Sequence, residues 1–458
     1  MSDPRPAPEA PPRAATSAPP GRRAPLPRAA WALGGGGLVL GLVLGGCSGL
    51  GVGALGGVLV AGSDGSLVGG LLGGGERSVA EALPEELPAL RAFVAEERGL
   101  PWTEEVPVRA LDDAEFEVAL TDAGDETGAA ADEEWPVGLD DPEDGRAETY
   151  AALGLTPSAT TYRDAWASGD SAVTGFYDTE TREVVLRGTG WTPLVAETLV
   201  HELVHALDHQ HVDLDAPLAA DLSPEEVTAH AAVVEGSAER VAWAWFDALD
   251  DEQVDAYDLA WDDSWDPGAD DGSWEDAVYD PLVDALAQFP YEYGHVAVGA
   301  VEEDAGAEGV SALLRDPLTT TEQVLAARPD PSASPGLADA AEVAAPAAPA
   351  GAEVLGTGRL GLFVLSLLPR LDVAEDEGYW LEDDVVTFAW AGDAFTTWVD
   401  PDDEDRACTA VLVRLDDARG RDDLVEDLGD WVAEAGAVSA SLAPVGQTDV
   451  ELRGCGER

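Results

Sequence analysis

Residues 201–205 read His-Glu-Leu-Val-His and lie inside a largely apolar run, residues 194–207. Thr192 and Pro193 precede the run, and a capping residue followed by proline is a typical helix start. The pattern therefore predicts a helix here. On a helix the two histidines project from one face, one turn apart, so both imidazoles can bind a single metal ion. Glu202 then lies beside that ion.

The two histidines, His201 and His205, supply two of the three protein ligands that a hydrolytic zinc site usually has. We predict Glu235 as the third ligand. It falls on a second helix, which opens at residues 223–226 with the capping-box sequence Ser-Pro-Glu-Glu. Glu239 follows one turn later, where it can orient a histidine ring without binding the metal itself.

His211 is the alternative third ligand. Residues 201–211 match H-E-x-x-H-x-x-G-x-x-H, the metzincin pattern, except that Asp208 replaces the glycine. Metzincins also have a methionine turn beneath the metal, and Met1 is the only methionine in this chain. We therefore place Glu235 ahead of His211.

The combined motifs resemble a known family. They read His-Glu-Leu-Val-His-Ala-Leu at 201–207, His-Gln-His at 209–211 and Glu-Gly-Ser-Ala at 235–238. In this combination the chain resembles the gluzincins, the thermolysin-like zinc peptidases, and most of all a group of bacterial cell-envelope metallopeptidases and lipoproteins. The resemblance covers about residues 85–330 and implies one Zn²⁺ per chain and hydrolysis of peptide bonds.

The chemistry of such a zinc site also predicts a mechanism. Zinc lowers the pKa of bound water to about 7, and Glu202 would act as the general base. A donor to the developing oxyanion is also expected. The candidates are Tyr293 and His295, with Tyr291 and His230 as further possibilities.

A hairpin is predicted just before the histidine-bearing helix, with strands at residues 172–177 and 183–186. A strand at the edge of a sheet can hold an extended peptide by main-chain pairing. The hairpin is therefore either a substrate-binding edge or an ordinary structural element.

The N-terminus predicts export. Residues 1–28 form a tail rich in proline and arginine, expected to stay in the cytoplasm, and residues 29–62 form an uncharged segment long enough to span a bilayer. Cys47 ends a lipobox-like sequence, so the segment is either a transmembrane anchor or a lipoprotein signal. A glycine-rich linker follows at 63–76. Either form places the catalytic region outside the cytoplasmic membrane.

Cysteines and charge agree with that location. Cys408 and Cys455 are predicted to form one disulfide, as suits an oxidising compartment. The chain carries 91 acidic and 24 basic residues, a net charge of −67. Such a surface excludes nucleic acid as a partner, because phosphate backbones need positive charge to neutralise them.

The predicted fold class is α+β, with a zincin-like helical core on a small antiparallel sheet and a small C-terminal α+β subdomain. The expected boundaries are 77–330 for the metallopeptidase domain, 331–352 for a Pro/Ala linker and 353–458 for the subdomain. Further expected elements are a helix at 79–98, a strand at 106–109, acidic loops at 122–144 and 262–276, a helix at 360–371, strands at 387–390, 394–399 and 410–414, and a closing helix at 423–435.

Two functions remain open at this point. One is a membrane-anchored, extracytoplasmic zinc metallopeptidase whose partners are peptides or proteins of the cell envelope. The other is a catalytically silent envelope binding or assembly protein that keeps the metal as a structural element. Glu202 favours the peptidase, because a purely structural site has no use for a general base.

Overall fold

The computed structural model describes residues 39–43, 77–126, 145–167, 173–188, 190–216, 222–264, 278, 280–326, 340–370, 389–434 and 439–458. The predicted tail, most of the predicted anchor, Cys47 and the glycine-rich linker lie outside these ranges. Within the ranges, no helix has both the length and the apolar character needed to cross a membrane.

The N-terminal half combines a four-stranded sheet with helices. Its strands are β1 (Val39–Val43), β2 (Val108–Leu111), β3 (Val173–Asp178) and β4 (Glu183–Arg187). They lie in the order β1-β3-β4-β2; β3 pairs antiparallel with both β1 and β4, and β2 runs parallel to β4. The helices are α1 (Val79–Arg98), α2 (Asp113–Glu126), α3 (Arg146–Leu153), α4 (Ala159–Ala167), α5 (Pro193–His209), α6 (Pro224–Asp247), α7 (Asp251–Ser264), α8 (Pro281–Arg315) and α9 (Thr321–Ala326).

Several of these helices begin at capping residues, among them α1, α5 and α6. Ser78 before α1 and Ser223 before α6 each form a capping box with the glutamate three residues later. The Thr192 hydroxyl before α5 accepts a hydrogen bond from the Val195 N–H. Each side chain satisfies an N–H that has no partner within the helix, and this fixes where the helix starts.

The C-terminal part is a five-stranded antiparallel sheet with three short helices. Its elements are β5 (Val354–Gly358), α10 (Gly361–Leu367), β6 (Trp390–Asp400), β7 (Asp403–Leu415), α11 (Ala418–Asp427), α12 (Gly429–Glu434), β8 (Ser441–Val445) and β9 (Asp449–Glu457). The strands lie in the order β5-β6-β7-β9-β8. Cys408 and Cys455 face each other across β7 and β9 and form the predicted disulfide. The α+β class is thus confirmed.

Several predicted elements are wrong in detail. The expected loop at 122–144 starts too early, because α2 continues to Glu126. Residues 387 and 388 of the first expected strand lie outside the described residues, and a single strand, β6, runs from Trp390 through the second expected strand at 394–399. The closing helix is interrupted at Leu428 and is followed by β8 and β9, which we had not predicted. Strand β8 contains a proline and β9 contains two glycines and several charged residues, so β-propensity marks neither strand.

One hydrophobic core joins the two parts of the described chain. The ring of Phe289 on α8 lies 4.4 Å from that of Phe363 on α10. Nearby, the buried Glu225 carboxylate on α6 accepts hydrogen bonds from the N–H and hydroxyl of Thr321 on α9. Helix α6, which carries Glu235, therefore shares a core with the C-terminal part, whereas the buried residues of α5 pack in a separate cluster.

The buried Glu225 predicts a pH-dependent stability. Burial raises its pKa from 4.5 to about 8, despite the hydrogen bonds from Thr321 that lower it. The folded state therefore holds an extra proton between about pH 4.5 and pH 8, and stability falls as pH rises through that window. We expect Glu225→Gln to raise the melting temperature relative to wild type more at pH 8 than at pH 5. The exposed Glu252→Gln is the control, and an equal effect at both pH values would contradict this account.

Candidate metal centre

Helix α5 holds the motif in the interior of the protein. It packs against α1, α6 and the strands β3 and β4. His201 and Glu202 are 0% exposed and His205 is 1% exposed. Polar groups buried to this extent need partners, because an unpaired buried polar group costs free energy.

Glu235 on α6 supplies such a partner to both histidines. Its Oε2 atom lies 3.0 Å from His201 Nε2 and 3.4 Å from His205 Nε2. The two Nε2 atoms are themselves 3.0 Å apart. The structure thus brings together His201, His205 and Glu235 as a buried group able to hold a metal ion.

The spacing of these atoms fits a tetrahedral zinc ion. With zinc–ligand bonds of about 2.0–2.1 Å, two ligands of one tetrahedral ion lie about 3.3 Å apart. The three separations of 3.0, 3.4 and 3.0 Å lie close to that value. Two imidazoles and one carboxylate are also a ligand set that suits zinc and leaves a fourth position open.

The protonation states suit metal binding at neutral pH. Burial raises the pKa of Glu235, but the neighbouring histidines, with His205 foremost, lower it to about 2, so the carboxylate is ionised. Burial lowers the pKa of His205, which leaves a free lone pair. Burial also acts to lower the pKa of His201, yet hydrogen bonds to Glu235 and Glu239 raise it well above its usual value. A metal ion bound here would therefore displace a proton from His201.

Two further carboxylates, those of Glu239 and Glu197, lie near His201. Glu239 Oε2 lies 3.3 Å from His201 Nδ1, the position from which it can orient the ring. Sequence reasoning missed Glu197, which accepts a hydrogen bond of 2.9 Å from the Tyr257 hydroxyl. Burial, with a smaller contribution from Glu239, raises the pKa of Glu197 to about 7. Glu197 lies four residues before His201 on the same helix, and this spacing could have predicted that it lies near the histidines.

A buried ion pair fixes the C-terminal end of α5. Arg98 Nε lies 2.8 Å from Asp208 Oδ1, and both side chains are nearly fully buried. The Ser237 hydroxyl on α6 donates to Asp208 Oδ2 at 2.7 Å. Asp208 occupies the position where the metzincin pattern has glycine, and here it ties α5 to both α1 and α6. Sequence reasoning did not identify this network.

Two glycines allow α6 and α8 to cross closely. A Cβ atom added to Gly236 would lie 2.2 Å from the carbonyl carbon of Gly294, and one added to Gly294 would lie 2.1 Å from the Ala232 carbonyl oxygen. No side chain fits at either point. Gly236 follows Glu235 directly, so this close contact sets the position of the third candidate ligand.

This contact predicts that Gly236→Ala is destabilising. The added methyl group forces α6 and α8 apart, at a cost of about 1–3 kcal/mol, and it also displaces Glu235. We expect a lower urea midpoint and weaker zinc binding in the same variant. Gly299→Ala on α8 is the matched control, because nothing lies within 4 Å of its added Cβ. Similar losses in both variants would show that the close crossing is not the cause.

His211, the alternative third ligand, lies elsewhere. Its Nε2 atom is 2.8 Å from the carbonyl oxygen of Pro101, and the side chain is solvent-accessible. Within the described part of the chain, it does not join the group formed by His201, His205 and Glu235.

The four candidate oxyanion stabilisers lie in different surroundings, and they do not all lie beside the metal group. The ring centroid of Tyr291 is 6.1 Å from that of His201, which puts this residue beside the metal group. Tyr293 is buried in the hydrophobic core. His295 Nδ1 lies 2.9 Å from the Tyr291 carbonyl oxygen, and His230 is buried on α6.

Comparisons with known proteins add no relative to this picture: no family model, curated protein or solved structure matches the chain.

Proposed function

We propose that the protein is a zinc metallopeptidase that hydrolyses peptide bonds. The observation that carries the proposal is the convergence of His201 Nε2, His205 Nε2 and Glu235 Oε2 within 3.4 Å of one another, directly beside Glu202 in the chain. A bound zinc ion would activate water and polarise the scissile carbonyl.

We assign Glu202 as the general base. It is fully buried and follows the candidate ligand His201 in the chain, and its charge acts on His201. A carboxylate there can accept a proton from the attacking water and deliver it to the leaving amine. Glu239 would hold the His201 ring, and Tyr291, whose ring centroid lies 6.1 Å from that of His201, would contact the substrate.

Strand β3 offers a place for an extended substrate. It packs against α5, with Thr174 Oγ1 3.4 Å from Thr198 Oγ1. Along the edge of β3 that faces away from β4, residues 39–43 pair antiparallel with residues 173–178. The edge of β3 thus accepts an extended chain, and a substrate bound there would have to displace residues 39–43.

The proposed setting is the outside of a membrane, with peptides or proteins of the cell envelope as substrates. The Cys408–Cys455 disulfide suits an oxidising compartment. The net charge of −67 suits a solvated exterior and favours positively charged partners over nucleic acid. The membrane attachment through residues 29–62 is an expectation from sequence, and within that segment the structure describes residues 39–43 as a strand paired with β3 instead of a membrane helix.

The test is an activity assay on the zinc-loaded full chain. A mixture of synthetic peptides is incubated with the protein, and new N-termini are identified by mass spectrometry. We expect cleavage that stops when a chelator removes zinc and resumes when zinc is returned. A folded, zinc-loaded protein that cleaves none of the peptides would favour the alternative, a silent envelope binding protein with a structural metal.

A further inference from the structure

A row of side chains on α6 leads from the candidate metal centre to the surface. Glu235, Glu239 and Trp243 follow one another at intervals of four residues, so they lie along one side of the helix, each one turn beyond the last. Their exposure rises along this row, from 5% for Glu235 and 8% for Glu239 to 40% for Trp243. The side of α6 that supplies the third candidate ligand therefore ends in an exposed aromatic ring.

Helix α8 supplies a second row beside the first. Tyr291 and His295 are also four residues apart, and both are half-buried. The Tyr291 ring centroid lies 6.1 Å from that of His201. The His295 ring centroid lies 6.3 Å from that of Trp243, with the two rings tilted by 36°. The inner residue of this row thus lies at the metal group, and the outer one lies at the exposed end of the row on α6.

The exposed end lies at a defined distance from the metal group. Trp243 is eight residues beyond Glu235, and a helix rises about 1.5 Å per residue, so the two are about 12 Å apart along α6. An extended peptide advances about 3.3 Å per residue. A substrate whose scissile bond lies at the metal would therefore bring a side chain to Trp243 from a position three or four residues away from that bond.

The surroundings of Trp243 suit an aromatic or large apolar side chain. The Phe246 ring centroid lies 6.3 Å from that of Trp243, and the Tyr257 ring on α7 lies 4.9 Å from that of Phe246. His295 is oriented by its Nδ1 atom, which lies 2.9 Å from the carbonyl oxygen of Tyr291. Trp243 is thus the exposed member of a packed aromatic group. A further ring placed on it would bury apolar surface and form another aromatic pair.

We propose that Trp243, with His295 beside it, forms a subsite for an aromatic or large apolar side chain of the substrate, three or four residues from the scissile bond. This inference rests on the proposed peptidase function and adds a substrate class to it. Trp243 is then a specificity-determining residue that does not touch the reacting atoms. Such a contact binds the substrate and the transition state equally, so it lowers KM and leaves kcat unchanged.

Cleavage of a peptide series by the zinc-loaded full chain tests the proposal. The parent peptide keeps the two residues that flank a bond cleaved by wild type and has Ala at the next five positions on each side. Each further peptide replaces one Ala by Phe. We expect KM to fall about tenfold, at constant kcat, when Phe stands three or four residues from the bond on one side. Trp243→Ala should lose this preference yet cleave the parent as wild type does, and Trp243→Phe should keep most of it.

Val118→Ala is the control, because it removes an apolar side chain that is 59% exposed on α2. It should show the same preference as wild type. A wild-type KM that does not depend on the position of Phe would overturn the proposal, and so would a preference that survives in Trp243→Ala.

A binding measurement separates this proposal from the proposed function. Dye-labelled peptides of Gly and Ser, with one central Phe or none, are titrated with zinc-loaded Glu202→Gln and with zinc-loaded Glu202→Gln/Trp243→Ala, and fluorescence anisotropy gives each Kd. We expect the peptide with Phe to bind about tenfold more tightly than the other, and only to the first protein. That difference in a chain that cleaves no peptide would support the subsite and reject the peptidase reaction. Equal affinities in a chain that does cleave peptides would overturn the subsite alone.

Discussion

Glu202→Gln should keep its zinc and lose its peptidase activity. The amide has nearly the same size and shape as the carboxylate but cannot accept the proton of the attacking water. General-base catalysis contributes about 10²–10⁴-fold, so we expect kcat to fall by that factor. The measurement is kcat on a peptide cleaved by wild type, together with zinc content and melting temperature to show that the variant is intact.

Glu180→Gln is the matched control for this experiment, because it makes the same chemical change at an exposed position on the β3–β4 turn. It should retain wild-type kcat. Peptidase activity that persists at the wild-type level in zinc-loaded Glu202→Gln would exclude Glu202 as the base. A variant that instead loses zinc would show that Glu202 supports the metal rather than the reaction.

Glu235→Ala should weaken zinc binding far more than His211→Ala does. The first variant removes one of three ligand atoms that lie within 3.4 Å of one another, whereas the second removes a side chain that hydrogen-bonds Pro101. Loss of an outer partner of a ligand costs about 10–100-fold in affinity, and loss of the ligand itself should exceed that. We expect zinc affinity to fall more than 100-fold in Glu235→Ala.

Competition with a zinc-binding dye gives both affinities. Glu239→Gln is an intermediate case. The Glu239 carboxylate lies 3.3 Å from His201 Nδ1, and we expect its replacement to lower the zinc affinity about 10–100-fold. If His211→Ala proved the more damaging substitution, the third ligand would be His211 and the arrangement that we describe would be wrong.

Local signals were enough to predict the helices that carry the metal group. Thr192 and Ser223 cap α5 and α6 by contacts to residues within the same turn, so the neighbouring sequence is enough to predict where each helix starts. The histidines are four residues apart on α5, and their relation is likewise local. The β3–β4 hairpin was predictable for the same reason.

Long-range contacts were not predictable in this way. Asp208 pairs with Arg98, which lies 110 residues earlier in the chain, and nothing in the local pattern joins them. The contact of Gly236 with Gly294 depends on how two helices cross. The second pattern, Glu-Gly-Ser-Ala, indicated that residue 236 matters but not that the reason is a backbone contact with α8.

The C-terminal sheet shows the same limit. Strands β8 and β9 are held by pairing with each other and with β7, across a separation that includes α11 and α12. Strand β8 contains Pro444, and the alternation of polar and apolar residues in β9 stops after Arg453, where two glycines follow. Only Cys455 hinted at the arrangement, because its predicted disulfide with Cys408 requires β7 and the C-terminal segment to be neighbours.

The most direct test of the metal centre is a crystal of the zinc-loaded protein measured at the zinc absorption edge. The account predicts an anomalous difference peak within about 2.1 Å of His201 Nε2, His205 Nε2 and a Glu235 carboxylate oxygen. The peak should be absent in crystals of Glu235→Ala grown in the same way. A well-ordered wild-type crystal with no peak at that point, or with zinc bound to His211 instead of Glu235, would contradict the account.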